Sequence, residues 1–148
     1  MWTSKKSATL TLVFIYLFMI VFVALELLAP LAVKGFILWY AKGDQLLVPL
    51  TSFLYSVLLP VGYALILLRK ILKAVLSEQC FCEENVLRLR RLSWCCFVFA
   101  VCSFGFGFAY FPLMLLSAAA AFVGLIVRVI KNAFQTALEL QNENQLTI

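Results

Sequence analysis

Charge is absent from three long runs of the chain, residues 7–25, 45–68 and 92–127, and each run is rich in Leu, Val, Phe and Ala. A helix rises about 1.5 Å per residue, so the third run would reach roughly 54 Å, nearly twice a hydrocarbon core of about 30 Å. One span cannot use that length, but two can. Pro112 falls near its midpoint, where proline suits a turn or the first position of a new helix. The pattern predicts four membrane-spanning helices, Leu10–Ala29, Leu47–Leu68, Leu92–Phe111 and Leu113–Ile130, with the last two forming a tight hairpin. Small residues at four-residue spacing (Gly105 with Ala109, Ser117 with Ala121, Ala120 with Gly124) predict close approach of spans three and four. The same faces permit a homo-oligomer.

The connections carry patterns of their own. Residues 30–46 are apolar and aromatic, with a Gly43-Asp44 turn signal, and read as an outer connection lying in the membrane interface. In the stretch 69–91, Ile71, Leu72, Val75 and Leu76 keep helical spacing, so span two is predicted to continue beyond the bilayer. A break around Ser77–Cys82 follows. A second helix then starts near Glu83, with acids in its first turn and Arg88, Arg90 and Arg91 further along, an order that suits the helix dipole. Residues 132–148 read as a polar-leaning continuation of span four, with Phe134, Ala137, Leu138 and Gln141 on one face.

Composition changes the picture in one respect: it names the solvent. Hydrophobic residues make up 65% and charged residues 13%, with a mean hydropathy of +1.05. Soluble domains have about 45–50% apolar and about 25% charged residues, and so apolar a chain would expose wide patches in water. The expected fold is therefore all-α, an integral membrane four-helix bundle forming a single domain over residues 1–148. Ten of the basic residues fall on one side of these spans: Lys5, Lys6, Arg69, Lys70, Lys73, Arg88, Arg90, Arg91, Arg128 and Lys131. Only Lys34 and Lys42 fall on the other. The positive-inside rule puts both termini and the helical loop 69–91 in the cytosol. Trp39 and Tyr40 are outer aromatic anchors and Trp94 an inner one. The first apolar run is too long for a signal-peptide core, and no small-x-small cleavage site follows it, so it reads as a retained span.

Candidate chemistry is sparse. There is no histidine, which removes imidazole acid–base work and His ligation. No phosphate-binding loop, dinucleotide fingerprint, zincin motif or nucleophile elbow is present, and no carboxylates pair, so an enzyme is not expected. Glu26 is the one ionisable residue inside an apolar segment. It either lines a polar cavity between helices, or reaches the outer headgroups from within two turns of the span's end, or pairs with Lys34. Cys80, Cys82, Cys95, Cys96 and Cys102 lack the paired CxxC spacing of a zinc site and read as reduced apolar filler, so no metal or cofactor is expected. The basic loop suits anionic membrane lipid or a cytosolic protein. Without a nucleic-acid-binding fold, it makes no case for direct nucleic-acid contact.

Two short stretches resemble a known family. Phe81-Cys82-Glu83-Glu84-Asn85-Val86 followed by Leu87-Arg88-Leu89-Arg90-Arg91-Leu92 resembles the motif F-[ST]-x-E-N-[VI]-x-R-L-[RK]-x-[IL]. Glu139 through Ile148, Glu-Leu-Gln-Asn-Glu-Asn-Gln-Leu-Thr-Ile, resembles a terminal L-x-x-E-N-D-L-T-I. Together they resemble the bacterial membrane-protein family catalogued as domain of unknown function 2975. Two departures are Cys82 at the helix-cap position, usually Ser or Thr, and Gln145 in place of Asp. The resemblance implies a four-span protein of the bacterial cytoplasmic membrane without settled biochemistry. Its members are often encoded beside a small helix-turn-helix regulator. By analogy with other paired membrane inhibitors and regulators, it implies a non-enzymatic protein that holds a DNA-binding partner at the membrane.

On that reading the partner-binding candidates are Glu83, Glu84, Asn85, Arg88, Arg90 and Arg91 in the loop, and Glu143, Asn144, Leu146, Thr147 and Ile148 in the tail. Glu84 and Asn85 would bond backbone N–H groups at the helix start. The tail would fold back on the three arginines. A purely structural role for both motifs is the competing expectation. The alternative function is a transport component for small molecules or peptides, or an immunity factor against a membrane-active peptide, with a hydrated path reaching Glu26.

Overall fold

The computed structural model describes residues 4–39, 44–77 and 82–146, and every regular element among them is helical. The elements are α1 (Ser4–Leu27), α2 (Ala29–Trp39), α3 (Leu47–Leu76, entered through a 3-10 turn at Asp44–Leu46), α4 (Glu83–Gly107) and α5 (Pro112–Leu146). Four of them, α1, α3, α4 and α5, are long and apolar enough to cross a membrane. The protein is a multi-pass membrane protein.

Local chemistry explains where these helices start and stop. α3 runs on past Leu68 to Leu76, as the spacing of Ile71, Leu72, Val75 and Leu76 predicts. Ser77 closes it by donating its N–H to the Lys73 carbonyl (3.1 Å) and its hydroxyl to the Ala74 carbonyl (3.0 Å). α4 starts at Glu83. Cys82 is extended, and its carbonyl accepts the N–H groups of Asn85 (3.0 Å) and Val86 (3.3 Å). The Cys82 side chain makes no capping bond, which is the consequence of having no Ser or Thr hydroxyl there. Phe108–Phe111 forms the hairpin turn, and Pro112 opens α5, where its missing N–H costs no helix bond.

The expected outer connection, residues 30–46, is largely helix instead. α1 breaks at Leu28 and resumes as α2, and two bonds bridge the break: Leu28 N–H to the Ala24 carbonyl (3.0 Å) and Ala32 N–H to the Leu28 carbonyl (2.8 Å). Pro30 accounts for the interruption, because it lacks the N–H that would reach the Glu26 carbonyl and its ring crowds that group. The buried face continues across the joint as Glu26, Ala29, Val33 and Ile37, at helical spacing. Gly43 lies outside the described residues.

α1 and α2 together run antiparallel along α3. Tyr16 lies against Arg69, whose guanidinium carbon is 5.2 Å from the ring centre. Phe22 lies against Gly62, where an added Cβ would sit 3.8 Å from the ring. Val33 and Phe36 share a cleft with Leu50, Phe53 and Leu54, and Ile37 and Leu38 meet Leu47 and Val48. The register thus passes through the Pro30 joint unbroken.

Packed interfaces join α1 to α3, α3 to α4 and α4 to α5, with α2 also on α3. Leu113 of α5 reaches Phe53 and Val57 of α3 as well, so α3, α4 and α5 share one core. Which faces can approach sets the pairing. α5 uses its small residues against α4, with Gly124 against Cys96 and Phe97, and α1 has neither glycine nor serine beyond Ser7 to offer such a contact. The core lies near the hairpin turn, where Phe53, Val57 and Leu113 cluster with Phe99 and Phe106.

Candidate functional site

The α4–α5 hairpin is the best-joined part of the molecule. Ser117 donates its hydroxyl to the Ala100 carbonyl (2.8 Å) and Ser93 donates to the Gly124 carbonyl (2.9 Å), both buried. Gly124 and Gly107 lie at the contact, and a Cβ at Gly107 would meet Met114 Cγ at 2.5 Å and its backbone N at 3.1 Å. Of the small residues singled out above, Ser117 and Gly124 are at this interface. Gly105 faces away, with open space around its Cα.

Because both helices continue past their apolar stretches, the hairpin carries two adjoining clefts at the end where the basic residues gather. The first, about 330 Å³, has Val86, Leu87 and Leu138 along it and Glu83, Arg90, Lys131, Glu139 and Asn142 around it. Its charges balance. The second, about 410 Å³, lies between Arg90, Ser93 and Trp94 of α4 and Arg128, Lys131 and Asn132 of α5. It has three cations and no acid. Lys131 is aimed by donating to Gln135 Oε1 (2.6 Å) and Asn132 Oδ1 (3.2 Å), and Gln135 donates in turn to Glu139 (3.1 Å).

The expected partner-binding residues divide sharply. Glu83 and Arg90 line the first cleft. Asn85 is fully buried and accepts a hydrogen bond from Arg88 Nη1 (2.9 Å), and Arg88 also pairs with Glu84. Asn85 therefore anchors the first turn of α4 through Arg88, and Arg88 is occupied within the helix. Arg91 reaches across to Tyr63 of α3 (3.4 Å). The described part of the tail, as far as Leu146, is the end of α5. It lies along the first turns of α4 because α5 continues unbroken to Leu146, which puts Leu138, Glu139 and Asn142 beside Glu83, Val86 and Leu87. Glu143 is exposed on that helix. Asn144 and Leu146 belong to its last turn, and Thr147 and Ile148 lie outside the described residues.

Sequence reasoning passed over Arg128, Lys131 and Asn132 as site residues, treating the two cations as markers of orientation only. The available signal was their i, i+3, i+4 spacing with Gln135 at i+7, which puts all four on one face.

Glu26 follows Leu25, which lines a cleft with Leu50, Phe53 and Leu54, and stands one turn after Phe22, which lies opposite Gly62. It is buried, and neither carboxylate oxygen has a hydrogen-bond partner, so there is no pairing with Lys34. Beyond it the helical path continues past Ala29 as α2. Thr51 and Ser103 also bury hydroxyls without partners, on the neighbouring helices α3 and α4. Cys82, Cys95, Cys96 and Cys102 are free thiols, and no group of three or more Cys, Asp or Glu converges among the described residues. Cys80 lies outside them.

A family model described as "Protein of unknown function (DUF2975)" matches residues 38–148, from the end of α2 through the tail. No curated protein and no solved structure matches.

Proposed function

The chain belongs to the family of proteins of unknown function DUF2975, and from that premise we propose a non-enzymatic membrane protein whose cytosolic face docks a regulatory partner. The observation that carries the reading is the first cleft. It has an apolar strip (Val86, Leu87, Leu138) bordered by charges of both signs, and it is held on two helices that extend beyond their apolar stretches. That is the form of groove that takes the apolar face of an amphipathic helix. A small helix-turn-helix regulator, the partner class implied by the resemblance, is built of such helices. Held against the membrane, it is kept from its DNA.

The excess of Lys and Arg supports a cytosolic placement of both termini and of this groove, in a bacterial cytoplasmic membrane. The partner surface is narrower than the two motifs. It comprises Glu83, Val86, Leu87 and Arg90 with Leu138, Glu139 and Asn142, while Glu84, Asn85 and Arg88 hold α4 in position. A role in transport or immunity rests on Glu26 alone.

The test is affinity purification from the native bacterium in mild detergent, with mass spectrometry of the co-purifying proteins. A DNA-binding protein should be recovered with the wild type and lost with Leu138→Glu and with truncation after Gln141. Its retention by both variants would remove the groove as the docking site.

A further inference from the structure

The second cleft differs from the first in sign and in setting. Arg90, Arg128 and Lys131 converge on it without a lining acid, and among the described residues neither Arg90 nor Arg128 has a hydrogen-bond or ion-pair partner. Arg90 and Lys131 also border the first cleft, where Glu83 and Glu139 offset them, so Arg128 is the cation that no acid lining either cleft offsets, and an anion in the second cleft would supply the missing charge. Ser93 and Asn132 add neutral polar groups to the wall.

The cleft also lies where both helices change character. α4 is charged through Arg91 and uncharged from Leu92 onward, and α5 is uncharged until Arg128. Trp94 marks the boundary, exposed on the outside and set edge-on to Phe97 with ring centres 6.3 Å apart. On the apolar side, Val98 and Val101 continue the Trp94 stripe at i+4 and i+7, and Leu125 stands one turn before Arg128. All three are exposed. A soluble anion would have no use for that stripe, whereas a lipid with its headgroup among the cations would lay an acyl chain along it.

The geometry points to a binding site for the phosphate of an anionic membrane lipid between α4 and α5, held by Arg90, Arg128 and Lys131 and flanked by Trp94. It goes beyond the partner-docking reading, since Arg128 and Trp94 line only this cleft and Leu138 lines only the other. A lipid here would fix the separation of the two helices whose extensions form the groove.

The experiment makes Trp94 the sole tryptophan, by Trp2→Phe and Trp39→Phe, and reconstitutes the full chain in phosphatidylcholine vesicles. A minor share of dibrominated phosphatidylglycerol should quench Trp94 more than the same share of dibrominated phosphatidylcholine. Arg128→Gln should lower that preference about five-fold, from roughly 1 kcal/mol per basic residue near an anionic surface. Arg128→Lys should keep most of it, and Lys73→Gln, the same charge change on α3, should leave it intact. A thermal melt checks that each variant is folded. Equal quenching by the two brominated lipids would overturn the site, as would an equal loss in Lys73→Gln, which would reduce it to the general field of the basic face. Inorganic phosphate added at constant ionic strength should not displace the lipid, and displacement would assign the cleft to a free anion. Leu138→Glu should leave the lipid preference unchanged, so this proposal and the docking groove fail separately.

Discussion

The α1–α2 arm is more apolar than the α4–α5 hairpin, yet the hairpin is packed and the arm is loosely laid on its neighbour. α4 and α5 meet along their whole lengths through Gly124, Gly107 and two buried serine hydroxyls bonded to facing carbonyls. α1 exposes Val13, Phe14, Leu17, Phe18 and Ile20, and among its described residues buries only Ile15 and Glu26. The difference teaches what lipid does to the usual logic. Acyl chains are as apolar as Leu, so burying Leu against Leu inside a bilayer gains little, and close approach and hydrogen bonds select the interface. The family match starts at residue 38 and so covers the packed helices while leaving α1 outside.

The comparison is broken most severely at the glycines. Leu in place of Gly124 must find room where a Cβ already lies 3.2 Å from Cys96 Cβ and 3.4 Å from the Phe97 ring. It should destabilise the protein by roughly 2–3 kcal/mol through overpacking. Gly35 of α2 has nothing within 4 Å of its Cβ position, so Gly35→Ala should instead add roughly 0.5–1 kcal/mol from helix propensity alone. Melting in detergent, followed by helical circular dichroism, measures both. Equal effects at the two positions would mean that the hairpin and the arm are packed alike.

Glu26 sharpens the contrast with an effect of opposite sign. Removing a buried carboxyl that lacks partners relieves its desolvation, so Glu26→Leu should raise stability by about 1–2 kcal/mol in the same melt. A loss of stability would show that Glu26 has a partner in the working protein and would restore the case for an interior polar path. Glu26→Gln, which keeps the shape and a polar head, should fall between wild type and Leu.

What could be read in advance follows the same physics. The starts of α3, α4 and α5 are written locally, in the uncharged runs, the acids at Glu83 and Glu84, and Pro112, and each appears where those signals put it. α2 is not signalled locally, because a proline at position 30 marks an end as readily as a joint. A proline stops a helix only when the chain has somewhere else to go, and here Ala29, Val33 and Ile37 find an apolar wall on α3. The pairing of the spans is hidden in the sequence because apolarity is nearly uniform around these helices and does not say which face meets which. The docking residues were legible as a motif but not as a surface. The motif groups Arg88 with Arg90, yet only the fold shows that Arg88 is tied to Asn85 and Glu84 while Arg90 is left to the clefts.

The smallest effect tests the hairpin most closely. Ser93 is buried, and its hydroxyl donates to the carbonyl of Gly124, the residue whose missing side chain lets the helices meet. Ser93→Ala keeps the close approach and removes only the bond. The Gly124 carbonyl keeps its helical N–H partner, so the loss should be about 0.6 kcal/mol, the average worth of an interhelical hydrogen bond in a membrane. A double-mutant cycle with Gly124→Ala separates the two contributions. If approach and bond are independent, the losses add. If the bond exists only because Gly124 admits α4, Ser93→Ala should cost nothing once Gly124 is replaced. The first outcome is expected, since a Cβ 3.2 Å from Cys96 Cβ asks its neighbour to give by only a few tenths of an ångström, which leaves a 2.9 Å bond within hydrogen-bonding range.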